Sequence, residues 1–150
     1  ENCKEGINVS MGHKQEVKRK QPLDAITSIM KIMSDNNDVN KFIYTECDIY
    51  PVDSQKYLQP YYDIPGSGAS IRYIPDFSPK LPAGYVCPGP FYVSSHAAMC
   101  MSKKLKSNRA SYLNTGISFE GMLAAAVSEL SNEGILFNVY SGYHTGNKKI

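Results

Sequence analysis

The chain is 150 residues long, the size of one domain, since cores usually gather about 100–150 residues before a chain divides. Its 42% hydrophobic and 20% charged residues exclude a disordered chain, a collagen and a coiled coil. Sixteen Lys and Arg against fourteen Asp and Glu leave a net charge of +2, too small for the whole surface to trap nucleic acid, and no apolar run approaches the length of a membrane-spanning helix.

Residues 1–20 are polar, with Lys14, Lys18, Arg19 and Lys20 clustered around Glu16, and read as a solvated arm ahead of a single domain over 21–150. Asn8-Val9-Ser10 within the arm is a glycosylation sequon, meaningful only in a eukaryotic source. From Pro22, a residue suited to a first helical turn, Leu23, Ile26, Ile29/Met30 and Met33 recur at helical spacing, and Asp35-Asn36-Asn37-Asp38 supplies a stop. Lys41–Cys47 (KFIYTEC), rich in aromatic and β-branched residues, reads as a strand.

Eight of the nine prolines fall between Pro51 and Pro90, so loops, turns and edge strands are expected there rather than a long helix. Tyr50, Tyr57, Tyr61, Tyr62, Tyr73 and Tyr85 give this stretch enough surface to pack as an ordered excursion, with short strands at Ser70–Ile74 and Pro90–Val93. Gly66-Ser67-Gly68-Ala69-Ser70 lacks the Lys-Ser/Thr of a phosphate-binding loop and reads as a turn. Ser94-Ser95 can cap a short helix over His96–Met101. Ser118 can cap a longer one whose Phe119, Met122/Leu123, Ala126/Val127 and Leu130 form an apolar stripe ending before Gly134, and Ile135–Tyr140 follows as a strand. The order predicts an α+β fold: a mainly antiparallel sheet with two principal helices and a long Pro/Gly/Tyr-rich irregular segment.

Four cysteines, Cys3, Cys47, Cys87 and Cys100, are an even count without C-x-x-C or structural-zinc spacing. They read either as two disulfides in an oxidising compartment or as four buried free thiols, and the disulfide reading is adopted. Spacing alone leaves three connectivities open. Cys3–Cys47 with Cys87–Cys100 is the pairing expected, because the latter two flank one short strand and the former would tether the terminus. The first residue is Glu1 rather than Met, which fits a removed leader and a periplasmic or extracellular protein of the cell envelope.

The chemistry-bearing residues are scattered. His96 and Cys100, four apart, share a helix face and suit a nucleophile and base or two metal ligands, but a disulfide at Cys100 forbids both. His13 and His144 are remote from them, and Glu46 and Asp48, which flank Cys47, read as surface charge. No metal site, cofactor or catalytic residue is therefore assigned. Lys103, Lys104, Lys106 and Arg109, beside Tyr112, form a local basic cluster, but the aromatics that strand-stacking modules need lie elsewhere, so nucleic acid is not the expected partner.

Phe119–Thr145 (FEGMLAAAVSELSNEGILFNVYSGYHT) resembles the helix–strand unit of the zinc D,D-carboxypeptidases that trim peptidoglycan, whose strand ends in Ser-Gly-Tyr-Arg-Ser/Thr. Ser141, Gly142, Tyr143 and Thr145 match that ending, while His144 replaces the substrate-contacting arginine. The family's zinc-ligand segment, which follows this strand, has no counterpart before Ile150, and its nearest echo, Ser94-Ser95-His96, carries Lys103 in place of the aspartate. The resemblance implies, at most, a degenerate or fragmentary peptidase-like domain.

Eleven tyrosines without a tryptophan suit a recognition face, since tyrosine combines large contact area with a polar tip, or equally the filling of a core left by a sheet with few long strands. The function expected is a non-catalytic exported module that binds a protein or an envelope glycan through Tyr57, Tyr61, Tyr62, Tyr73, Tyr85, Ser141, Tyr143 and His144. An immunity or inhibitor protein, a pilus or adhesin component and a secretion-system accessory subunit all fit this expectation.

Overall fold

The computed structural model of the chain describes residues 14–36, 38–47, 49–74, 85–115, 118–140 and 147–149. In chain order they form α1 (Lys14–Asp35), β1 (Lys41–Tyr44), β2 (Ile49–Pro51), α2 (Ser54–Tyr62), β3 (Ala69–Ile74), β4 (Tyr85–Ser94), α3 (Ser95–Ser107), α4 (Arg109–Asn114), α5 (Phe119–Asn132), β5 (Phe137–Tyr140) and β6 (Asn147–Lys149). The fold is α+β. Its sheet has the order β1-β4-β3-β5, antiparallel except where β5 runs parallel to β3, and β2 and β6 make a separate antiparallel pair.

Strand alternation divides the sheet into two faces. Phe42, Val93, Ala69 and Phe137 lie in one cross-strand row and pack, with Phe91 and Ile71, beneath α1, α3 and α5. Ile43, Tyr92, Ser70 and Asn138 form the neighbouring row on the opposite face. Leu23, Ile26, Met30, Met101, Leu105, Met122, Leu123 and Leu130 fill the helical side of the core. Ala97 and Ala98 bring the start of α3 close against its neighbours, and Ser102 Oγ donates to the Thr27 carbonyl across the α1–α3 contact at 3.2 Å.

The helix signals near the C-terminus operate as the residues dictate. Ser118 Oγ accepts from the Gly121 amide at 3.1 Å, satisfying one of the first-turn donors of α5. Gly134 adopts φ +97°, with the Gly134 amide donating to the Ser131 carbonyl and Ile135 to Leu130, the paired bonds of a Schellman motif. Leu130, 2% exposed, closes the apolar stripe. Leu130→Ala is expected to lose about 2–4 kcal/mol of stability in urea unfolding; a loss under about 0.5 kcal/mol would show that the stripe does not pack.

Two expectations need correction. The helix expected from Pro22 begins at Lys14, so residues 14–20, read as part of the polar arm, are helical. Lys, Gln, Glu and Arg upstream are good helix formers, and Pro22 removes only one ladder bond, to Lys18. The proline-rich stretch also contains a helix, the nine-residue α2, with Pro60 in its last turn and buried.

Candidate functional site

α2 starts because Asp53 caps it: its Oδ1 accepts from the amides of Gln55 at 3.1 Å and Lys56 at 3.2 Å. The helix lies over the face of the sheet opposite the large helices, and Tyr57 and Tyr61, one turn apart, are half-buried. Tyr57 meets Tyr92 edge-on with ring centroids 6.1 Å apart, and Tyr92 meets Tyr140 in the same way at 5.6 Å. The fully buried Tyr92 donates its hydroxyl to the Tyr57 carbonyl at 2.5 Å, and Tyr140 donates to the Pro90 carbonyl. Burial, with a smaller contribution from Tyr57, pushes the Tyr92 phenol far above its ordinary range, so this hydroxyl is a fixed donor. Ser70, next to Tyr92 in the ladder, is also fully buried.

Above this anchored layer the chain exposes apolar surface. Tyr62 is 63% exposed, and its ring contacts Tyr61 at 5.6 Å. Val52, just before the cap of α2, is 65% exposed, and Tyr50 on β2 is 41% exposed. Lys41 Nζ lies 5.8 Å from the centre of the Tyr61 ring, a cation–π distance. α2 thus has an inner side tied down through Tyr57 and a displayed Tyr62, and Val52 and Tyr50, just ahead of it in the chain, are exposed as well.

The structure divides the tyrosines singled out from the sequence. Tyr57 and Tyr61 serve largely to seat α2, and Tyr62 is displayed. Tyr73 and Tyr85 occupy paired strands at the far end of the β3–β4 ladder, opposite Val86 and Ile74 respectively. Ser141, Tyr143 and His144 lie outside the described residues, as do His13 and Asp48. Tyr92, Tyr140, Val52 and Lys41 were not singled out as site residues. The alternation of Phe91 and Val93 about Tyr92 is the signal that places Tyr92 on the α2 side.

The basic cluster is partly consumed by the fold. Arg109 Nε and Nη2 donate to the two carboxylate oxygens of Asp24 at 2.8 and 3.1 Å, joining α4 to α1 and holding the Asp24 carboxyl below its usual range. Lys104 pairs with Glu133 and, at 3.3 Å, with Glu129 on α5. Asn108 Nδ2 donates to Glu129 and to the hydroxyl of the buried Tyr112. Lys103 and Lys106 remain exposed, so the cluster mainly fastens helices together.

The cysteine pairing also needs correction. Cys47 is exposed and free, and Cys100 is half-buried and free. Ser94 lies seven strand steps beyond Cys87, roughly 23 Å, and the six helical steps on to Cys100 return at most about 9 Å, far too little to bring Cys87 and Cys100 within bridging distance. Cys3, the partner expected for Cys47, lies outside the described residues. Cys100 Sγ instead sits 3.7 Å from His96 Nε2. Burial chiefly pushes the Cys100 thiol up, Lys103 pulls it down and Glu133 pushes it up again.

The α5–β5 unit forms the helix, turn and strand expected for Phe119–Tyr140. Among the described residues, no three His, Cys, Asp or Glu side chains converge as metal ligands. No family model, curated protein or solved structure matches this chain.

Proposed function

We propose that the chain is a non-catalytic binding module that recognises a protein or an envelope glycan through the outer side of the β2–α2 segment. The observation that carries this reading is the pairing of a seated helix with displayed apolar groups: Tyr57 and Tyr61 lie against the sheet while Tyr62 and Val52 are about two-thirds exposed. A surface held in place from beneath loses little freedom on binding, and tyrosine gives it contact area with a polar tip. Placement in the periplasm or outside the cell belongs to the same proposal and draws no support from disulfides, since Cys47 and Cys100 are free.

A photocrosslinking residue placed at Tyr62 in the native host tests the reading, with a second at Ser131, exposed on α5, as the comparison. A discrete adduct from position 62 and none from position 131 is the expected result. No adduct from position 62, or the same adduct from both positions, would remove the β2–α2 segment as the recognition face.

A further inference from the structure

Among the described residues outside the tyrosine face, the thiol of Cys100 lies beside the imidazole of His96. We propose that His96 and Cys100 form a bidentate site for a thiophilic metal cation of the zinc class. Both are on α3, one helical turn apart, so their side chains project from the same face. Metal–sulfur and metal–imidazole bonds of about 2.3 and 2.0 Å, set at a tetrahedral angle, put the two ligand atoms about 3.5 Å apart. The observed Sγ–Nε2 separation is 3.7 Å, so the atoms are already at the length of a tetrahedral edge.

The backbone beneath the pair is fixed. Ser94 Oγ caps the helix at the Ala97 amide, the Ser95 amide donates to the Asn40 carbonyl at 2.9 Å, and Ala97, Ala98 and Met101 are buried. His96 is exposed and Cys100 half-buried, so a cation can reach both ligands and complete its shell with water. A thiolate and an imidazole together suit zinc and copper rather than magnesium or calcium, which take oxygen ligands. Burial favours the protonated Cys100 thiol, so binding releases that proton to solvent as the thiolate takes the metal; Lys103 opposes a cation here, and Glu133, which acts on the Cys100 thiol through space, favours one.

Cd²⁺, whose thiolate complexes absorb in the ultraviolet, is the probe. It is titrated into the full chain carrying Cys3→Ser, Cys47→Ser and Cys87→Ser, which leaves Cys100 as the one thiol, and into the same background with His96→Gln or Cys100→Ser, circular dichroism confirming that each variant is folded. The expected result is one saturable equivalent, displaced by Zn²⁺, that weakens at least tenfold in His96→Gln because the second ligand no longer adds its high local concentration, and whose absorption is lost in Cys100→Ser. Equal affinity in His96→Gln would show a lone thiol with an ordinary S–H···N contact and overturn the proposal. Absorption that persists in Cys100→Ser, or the absence of a saturable equivalent, would overturn it as well.

Discussion

Tyr92→Ala is expected to lose about 3–5 kcal/mol of stability, the range for truncating a buried aromatic ring. Tyr92 is fully buried at the centre of the α2-facing side of the sheet, between Ile43 and Ser70 in the ladder and between the rings of Tyr57 and Tyr140. Its loss leaves α2 resting on a cavity. Tyr92→Phe keeps the ring and removes only the bond to the Tyr57 carbonyl, and is expected to lose about 1 kcal/mol. Urea unfolding of both variants separates ring packing from the hydroxyl. An alanine variant within about 1 kcal/mol of the parent would show that α2 does not cover this ring.

Gly68→Ala is expected to lose about 3 kcal/mol, at the upper end for overpacking. A Cβ at position 68 would stand 2.0 Å from the Leu136 carbonyl oxygen and 2.9 Å from that of Pro65, and both are backbone atoms that cannot swing aside. The same Leu136 carbonyl accepts from the Ala69 amide at 3.1 Å where β3 meets β5, so relieving the clash loosens the parallel pair. Gly66, two residues earlier, provides the comparison: at φ +51° it has nothing within 4 Å of an added Cβ. Gly66→Ala should therefore lose only about 1–2 kcal/mol of backbone strain. Thermal melts in which the two alanines are equally destabilising would contradict the close approach of Gly68 to β5.

Where a periodic pattern coincided with its own caps, the sequence was easily read. Ser118, the stripe through Leu130 and Gly134 gave α5 nearly to the residue, and aromatic and β-branched runs located β1, β3 and β5 to within about three residues, whereas only the Pro90–Val93 part of the ten-residue β4 was expected. Proline misled in both directions. Pro22 looked like a first-turn residue but sits inside α1, and the prolines of 51–90 hid α2, whose decisive signal was the Asp53 cap followed by Tyr57 and Tyr61 one turn apart. Tyrosine count suggested a recognition face but could not say which rings are displayed. That division depends on the pairing of Ser70 with Tyr92 and on α2 crossing the sheet, both set by tertiary structure. Charge spacing likewise showed Lys104 and Arg109 as a patch, when their carboxylate partners come from α5 and α1.

The ladder order also dictates a timetable for folding on the ribosome. Of the strand pairs among the described residues, β3 with β4 alone joins strands that are consecutive in the chain. β1 emerges about fifty residues before its partner β4, an interval of several seconds at roughly 5–20 residues per second. β3 waits for Phe137–Tyr140 before its second edge is paired, and β2 waits for Asn147–Lys149. Because each distant pairing must first close a long loop, the sheet assembles late and slowly. During synthesis, Phe42 and Ile71 are without the strands and helices that cover them in the folded chain.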